Sequence, residues 1–127
     1  MIKNVVLISA DAEWKVITAL HEDCEIQKSP LGDYFQMSIS VHRSAKPVVF
    51  YHGGWGKISA AATTQYVIQR WKPQLIINLG TCGGFADKVN KHDIILVNKT
   101  VVYDICERAG ITKNTSSITQ LNLTLHG

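Results

Sequence analysis

The sequence predicts an α/β protein, a sheet with helices on its faces, and three observations carry that prediction. Continuous apolar runs rich in β-branched residues, "NVVLIS" (4–9), "PVVFYH" (47–52) and "QLIINLG" (74–80), have the make-up of strands buried on both faces. Segments with apolar residues at helical spacing alternate with them, which is the order of an α/β sheet. Each run then breaks into a short turn, "SADAE", "HGGWG" or "GTCGG". In such sheets, ligands collect at the carboxyl ends of the strands, so three loops would face one site.

The elements follow in order. The first strand covers 4–9, and a helix near 12–21 follows it, with Ser9 or Asp11 available as cap and Trp14, Ile17 and Leu20 at helical spacing. The turn-forming "SPLGDY" precedes "FQMSISV", where Phe35, Met37, Ile39 and Val41 alternate with polar residues and predict a half-buried strand over 35–42. A buried strand over 47–51 leads into a second helix that opens at Gly56 or Lys57 and runs to Trp71. Pro73 closes it, because the residue before a proline disfavours the helical region. The strand 74–79 breaks into "GTCGGFAD", and "DIILV" with "TVVYDI" predicts one or two further strands over about 93–103. Residues 111–127 contain one lysine and no acid, and read either as a short edge strand, "ITQLNLTLHG", or as a frayed polar tail.

Composition narrows the function classes. A chain of 127 residues, 46% hydrophobic and 18% charged, is large enough for one core, and it shows neither a repeat nor a low-complexity linker. The formal charge of +3 is small and the basic residues are scattered, so neither nucleic acid nor a membrane surface is indicated as a partner. Cys24, Cys82 and Cys106 have the spacing of neither a disulfide framework nor a zinc site, which points to a reducing cytoplasm. "VVLISA" is too short for a membrane span and has no signal-peptide pattern.

The stretch "HGGWGKISAAATTQYVIQRW" (52–71) places glycines, a tryptophan and a lysine at the mouth of a small-residue helix. Glycines let a backbone approach a ligand, and a helix start offers unpaired N–H groups. It reads either as a ligand-facing turn or as a tight strand-to-helix connection whose tryptophan plugs the core. The spacing is not that of a P-loop, since Ile58 stands where Ser or Thr would bind magnesium. No G-x-G-x-x-G, no G-x-S-x-G elbow and no histidine pair with metal-ligand spacing is present. Cys82 sits where a nucleophile could sit, but it has no identifiable base partner.

Together the three loops resemble the nucleoside phosphorylase and nucleosidase superfamily, in particular its 5'-methylthioadenosine/S-adenosylhomocysteine nucleosidase branch, over about residues 3–110. "VLISADAE" is similar to that family's first strand and acidic loop, and "GGWGKISAAATTQYVI" to its G-x-G-K-x-x-A-A helix entry. "PQLIINLGTCGGFADKVNKHDIILV" is similar to its P-D-x-I-I-N-x-G-x-A-G-G block with the following G-D-I-V. The resemblance implies a mixed sheet flanked by helices and cleavage of a purine nucleoside, with no metal or other cofactor, a small-molecule substrate as the partner, and a homodimer as a further expectation. Glu13 matches the glutamate that helps activate the attacking water. Trp55 falls where the family places an apolar residue near substrate or the subunit interface, and Thr81, Cys82 and Gly83 match the turn beside ribose and base. Asn78 and Gly80 are expected to shape that turn. His52 is expected to be a satisfied loop histidine.

The resemblance also implies what is missing. Family members run well past 200 residues, and their second half brings a Met-Glu segment that grips the ribose hydroxyls and an aspartate that protonates the purine. The expected organisation is therefore residues 1–110 as the N-terminal part of a nucleoside phosphorylase-like domain, followed by a divergent tail, 111–127. Restoring one nucleotide before codon 111 lets that tail be read as "DYKEHIINYTTEFDLTW", an acidic and aromatic stretch, so a frameshifted or prematurely ended product is expected. The resulting alternatives are an impaired nucleosidase, a phosphorylase using phosphate, and a non-catalytic remnant.

Overall fold

The computed structural model describes residues 2–41 and 43–100, which fall into two compact units, residues 1–83 and a second beginning at Gly84. In the first unit the chain runs through β1 (Asn4–Ile8), α1 (Asp11–Leu20), β2 (Gln27–Ser29), β3 (Gly32–Val41), β4 (Ser44–His52), α2 (Gly56–Trp71) and β5 (Leu75–Asn78). The strands form one mixed sheet in the order β2-β3-β4-β1-β5, with β1 parallel to both β4 and β5, and β3 antiparallel to β2 and β4. The strands expected at 4–9, 35–42, 47–51 and 74–79 and both helices are present, with ends shifted by a few residues.

Side-chain alternation puts a different core on each face of the sheet. On one face Val6, Ile8, Phe35, Val48 and Phe50 pack against Trp14 of α1. On the other, Val5, Tyr34, Val49 and Tyr51 pack against Val67 of α2. Burial on both faces is why β1 and the end of β4 read as unbroken apolar runs. Phe35 and Phe50 stack with ring centroids 5.0 Å apart, and Trp14 lies 5.5 Å from Phe35. Truncating Trp14 to alanine would cost about 3–5 kcal/mol. Of the other helical-period residues of α1, Ile17 packs on this core but Leu20 is exposed.

The helix ends differ in kind. The N-cap of α1 is Ala10, with no side-chain cap, so neither Ser9 nor Asp11 plays the role expected of it. Asp11 is instead the first helical residue, where its carboxylate still favours the helix dipole. The end of α2 follows the expectation: Lys72 turns left-handed (φ 46°), its N–H donates to the Ile68 carbonyl at 2.9 Å, and Pro73 follows.

Two features depart from the sequence reading. The short β2 was not anticipated, because "QKS" is polar and shows no alternation. It is held by the turn after it: Ser29 Oγ donates to the Gly32 carbonyl at 2.7 Å and shares a hydrogen bond with Tyr51 Oη. Gly32 permits that turn, since a Cβ there would lie 1.9 Å from the His52 carbonyl oxygen. The strand expected from residue 93 is absent through residue 100. An apolar run becomes a strand only where a neighbour supplies ladder partners, and "DIILV" has none among the described residues, leaving Ile94 and Leu96 exposed. Residues 101–103 of that expectation, and the boundary expected at 110/111, lie outside the described residues.

The described part of the second unit, residues 84–100, is built of turns. The Phe85 carbonyl accepts from Lys88 N at 3.1 Å, and Asp93 Oδ2 accepts from Asn90 N at 2.8 Å. Among the described residues no helix is long and apolar enough to cross a membrane.

Candidate functional site

Because β4, β1 and β5 are parallel neighbours, their carboxyl ends His52, Ile8 and Asn78 lie side by side on one edge of the sheet. Backbone bonds carry the pairing one residue further, from Gly53 N to the Ile8 carbonyl (3.0 Å) and from Leu79 N to the Leu7 carbonyl (2.9 Å). The three loops expected to converge therefore leave from the same edge. The link from β4 through α2 to β5 passes over β1, so α1 and α2 lie on opposite faces. A crevice outside such strand ends is where α/β sheets bind ligands.

Glu13, in the first turn of α1, is the residue this arrangement fixes best. Its Oε1 accepts from both the backbone N–H and the Oγ1 of Thr81, each at 2.6 Å. The Thr81 hydroxyl, then its N–H, hold the carboxyl below its ordinary range; partial burial works against them, and the Ala10 N–H adds to them. Gly80 leaves room for the carboxylate, since a Cβ there would sit 3.3 Å from both of its oxygens. Glycine at 80 thus shapes the turn through close approach.

His52 departs from the expectation. It is the last residue of β4 and not part of the loop, its ring stacks on Trp14 at 5.3 Å, and its side chain is 18% exposed. Its Nε2 lies 3.2 Å from Asp11 Oδ1, within ion-pair reach, but the approach does not meet hydrogen-bond geometry. This buried nitrogen has no hydrogen-bond partner, so His52 is not a satisfied histidine.

The other expected site residues are more open. Trp55 is the N-cap residue of α2 and is 72% exposed, so it does not plug the core. Cys82 is a free, exposed thiol, and Gly83 has open space where a side chain would start. Beside the first turns of α2 lies an apolar recess of about 250 Å³ lined by Leu31, Gly53, Ile58, Ser59, Ala62 and Thr63. Its lining includes neither Glu13 nor Thr81. Among the described residues no group of three or more His, Cys, Asp or Glu side chains could hold a metal ion.

Two contacts were missed by sequence reasoning. Thr81 was singled out, but not as the donor that holds Glu13, although a hydroxyl residue just past a parallel strand end is a natural partner for a helix-start carboxylate. The Asp11–His52 approach links residues 41 positions apart, and only the pairing of β1 with β4 reveals it.

The fold and the site together define an α/β protein whose polar site lies at the carboxyl edge of parallel strands, built around a carboxylate. The chain belongs to the Phosphorylase superfamily, whose family model matches residues 4–121. It is similar to the 5'-methylthioadenosine/S-adenosylhomocysteine nucleosidases of Anoxybacillus flavithermus, 38% identical, and Staphylococcus haemolyticus, 30% identical. Each match extends over 96 residues and covers 71% of this chain, but only 41% and 42% of those relatives. Its fold is similar to the S-adenosylhomocysteine nucleosidase of Streptococcus pyogenes in complex with 5-methylthiotubericidin, with TM-score 0.70 and 18% identity over 94% of this chain and 50% of that one. The Neisseria meningitidis nucleosidase in complex with methylthio-immucillin-A gives TM-score 0.66 and 19% identity, covering 84% and 45%. The chain thus spans half or less of the length of these relatives.

Proposed function

We propose that the chain carries the water-side half of a site for purine nucleoside N-glycosidic cleavage, of the 5'-methylthioadenosine/S-adenosylhomocysteine nucleosidase type. The observation that carries the reading is the Glu13 carboxylate, held by both donors of Thr81 at 2.6 Å at the carboxyl edge of the sheet. In that role Glu13 takes a proton from water as the new C–O bond forms at the sugar carbon, while the C–N bond breaks and its electron pair leaves with the purine. Thr81 keeps the carboxylate ionised and aimed. Trp55, Thr81, Cys82 and Gly83 are the residues proposed to meet the nucleoside.

The departing purine also needs a proton, and the sugar needs its developing charge stabilised, roles that the resemblance assigns to segments beyond residue 110. Removing one preorganised polar group costs on the order of a hundredfold to a thousandfold in rate. The polypeptide of residues 1–127 is therefore proposed to release little base by itself. A second reading, a non-catalytic chain that pairs its sheet edge with another chain, draws on the outer edge of β5, which has no ladder partner among the described residues, and on the exposed Ile77 and Leu79.

The test is incubation of the purified chain, and of a version continued in the restored reading frame, with methylthioadenosine, adenosine and inosine, with and without phosphate. Free base is the readout. Phosphate-independent release by the continued version, lost in Glu13→Gln, is expected; strict phosphate dependence would make the protein a phosphorylase. Release by neither version would refute the proposal. The genomic DNA around codon 110 tests the frameshift, and an intact frame without homologous coding sequence downstream would remove it.

A further inference from the structure

The first turn of α1 carries Glu13, and its N-cap, Ala10, makes no side-chain cap hydrogen bond. Asp11, one residue past the cap, approaches the otherwise unpartnered Nε2 of His52 at 3.2 Å. His52 is itself held, by its place at the end of β4 and by the nearly parallel stack of its ring on Trp14, with planes 7° apart. A buried ring nitrogen this close to a carboxylate oxygen is favourable only when it carries a proton, as the Nε2–H tautomer or the imidazolium; a bare lone pair there would repel Asp11.

We infer that His52 is a positioning residue for Glu13: through Asp11 its imidazole ties the first turn of α1 to the end of β4, and protonation of the ring tightens that tie. The inference deepens the proposed role of Glu13 and rests on it for its catalytic meaning. Three described elements place a group beside His52. From α1 comes Asp11. From β3 comes Asp33, directly opposite His52 in the antiparallel ladder and already paired with Lys28 at 3.6 Å. From β1 comes the uncharged Ile8. Asp11 and Glu13 sit two residues apart in one helical turn, so a shift of Asp11 toward the ring moves the backbone that aims Glu13 at Thr81.

The test is a pH titration of the isotope-labelled 127-residue chain by NMR, following the His52 ring nitrogens, the Glu13 carboxyl carbon and the Thr81 amide. The ring nitrogens report His52 and the carboxyl carbon reports Glu13, so the two inflections are read separately in one titration. The Thr81 amide is expected to show an inflection at the same midpoint as the His52 ring, moving downfield as the ring gains its proton. Asp11→Asn is expected to abolish that inflection and Asp33→Asn to leave it. A Thr81 amide in the wild-type chain that follows only the titration of Glu13 overturns the inference, with no variant needed. So does an inflection that survives Asp11→Asn. Base release without this coupling would remove the tie and leave the proposed function standing, whereas coupling without base release from either version would do the reverse.

Discussion

Gly53 joins β4 to α2, and the structure states why it is glycine. A Cβ at this position would lie 2.6 Å from Thr63 Cγ2, 2.9 Å from its Oγ1 and 3.0 Å from its Cβ, where ordinary contact begins at 3.4 Å. Thr63 cannot swing aside freely, because it is 2% exposed and its Oγ1 donates to the Gly53 carbonyl at 3.0 Å. Overpacking of this kind costs about 1–3 kcal/mol, and straining the buried hydrogen bond adds about 1 kcal/mol. Gly53→Ala is therefore expected to destabilise the chain by roughly 2–4 kcal/mol. At about 4–8 °C per kcal/mol for a domain of this size, the melting midpoint should fall by on the order of 10 °C. Thermal unfolding followed by circular dichroism, with urea titration beside it, reads both. Adding Thr63→Ser removes Cγ2 but keeps the hydroxyl, so the double variant should recover part of the loss. An unchanged midpoint in Gly53→Ala, or strictly additive losses in the pair, would refute the reasoning.

The other predictions concern hydrogen bonds that can be removed one at a time. Thr81→Val deletes the hydroxyl donor to Glu13 and keeps the backbone donor, so the Glu13 carboxyl should rise toward its ordinary value, read by carbon NMR of its carboxyl group. Since the wild-type carboxyl is lowered, its stabilising effect is present above the ordinary carboxyl value of 4.5 and is lost as pH falls through the lowered folded value. The wild-type advantage in urea should therefore be measurable at neutral pH and vanish in acid; an equal advantage at both would contradict the linkage. Tyr51→Phe leaves a wholly buried ring in place but removes its bond to Ser29 Oγ, and should cost about 1 kcal/mol in urea unfolding. Equal stability would mean that this bond does not help hold β2.

The fold was legible where burial is two-sided. Val5, Val6, Val49 and Tyr51 sit in strands covered by a helix on one face or the other, and such strands must be apolar throughout, so their runs stand out. The "GTCGG" and "HGGWG" turns were legible as loops, and Gly80 and Gly53 prove to be glycines of close approach. What stayed hidden depends on contacts between distant segments. The polar "QKS" is a strand only because Gly32 and Tyr51 secure its turn, and "DIILV" has strand composition without a ladder partner among the described residues. At the site, Glu13 could be picked out, but its hold on Thr81 68 residues away and the approach of His52 to Asp11 follow from the parallel order of β4, β1 and β5. Trp55 was open to two readings, a ligand-facing residue or a plug of the core, and its exposure removes the plug.

If Glu13, Trp55 and the Thr81–Gly83 turn form half of a nucleoside site, the 127-residue chain should still recognise its ligand without turning it over. The decisive measurement is titration of the ¹⁵N-labelled chain with millimolar 5'-methylthioadenosine, with ribose and phosphate as separate controls. Concentration-dependent shifts are expected at the amides of Glu13, Thr81, Cys82 and Gly83 and at the Trp55 indole N–H, weakened by Glu13→Gln and absent with phosphate alone. Shifts confined to residues elsewhere in the sheet, or none at any concentration reached, would contradict the assignment of this edge as a purine nucleoside site.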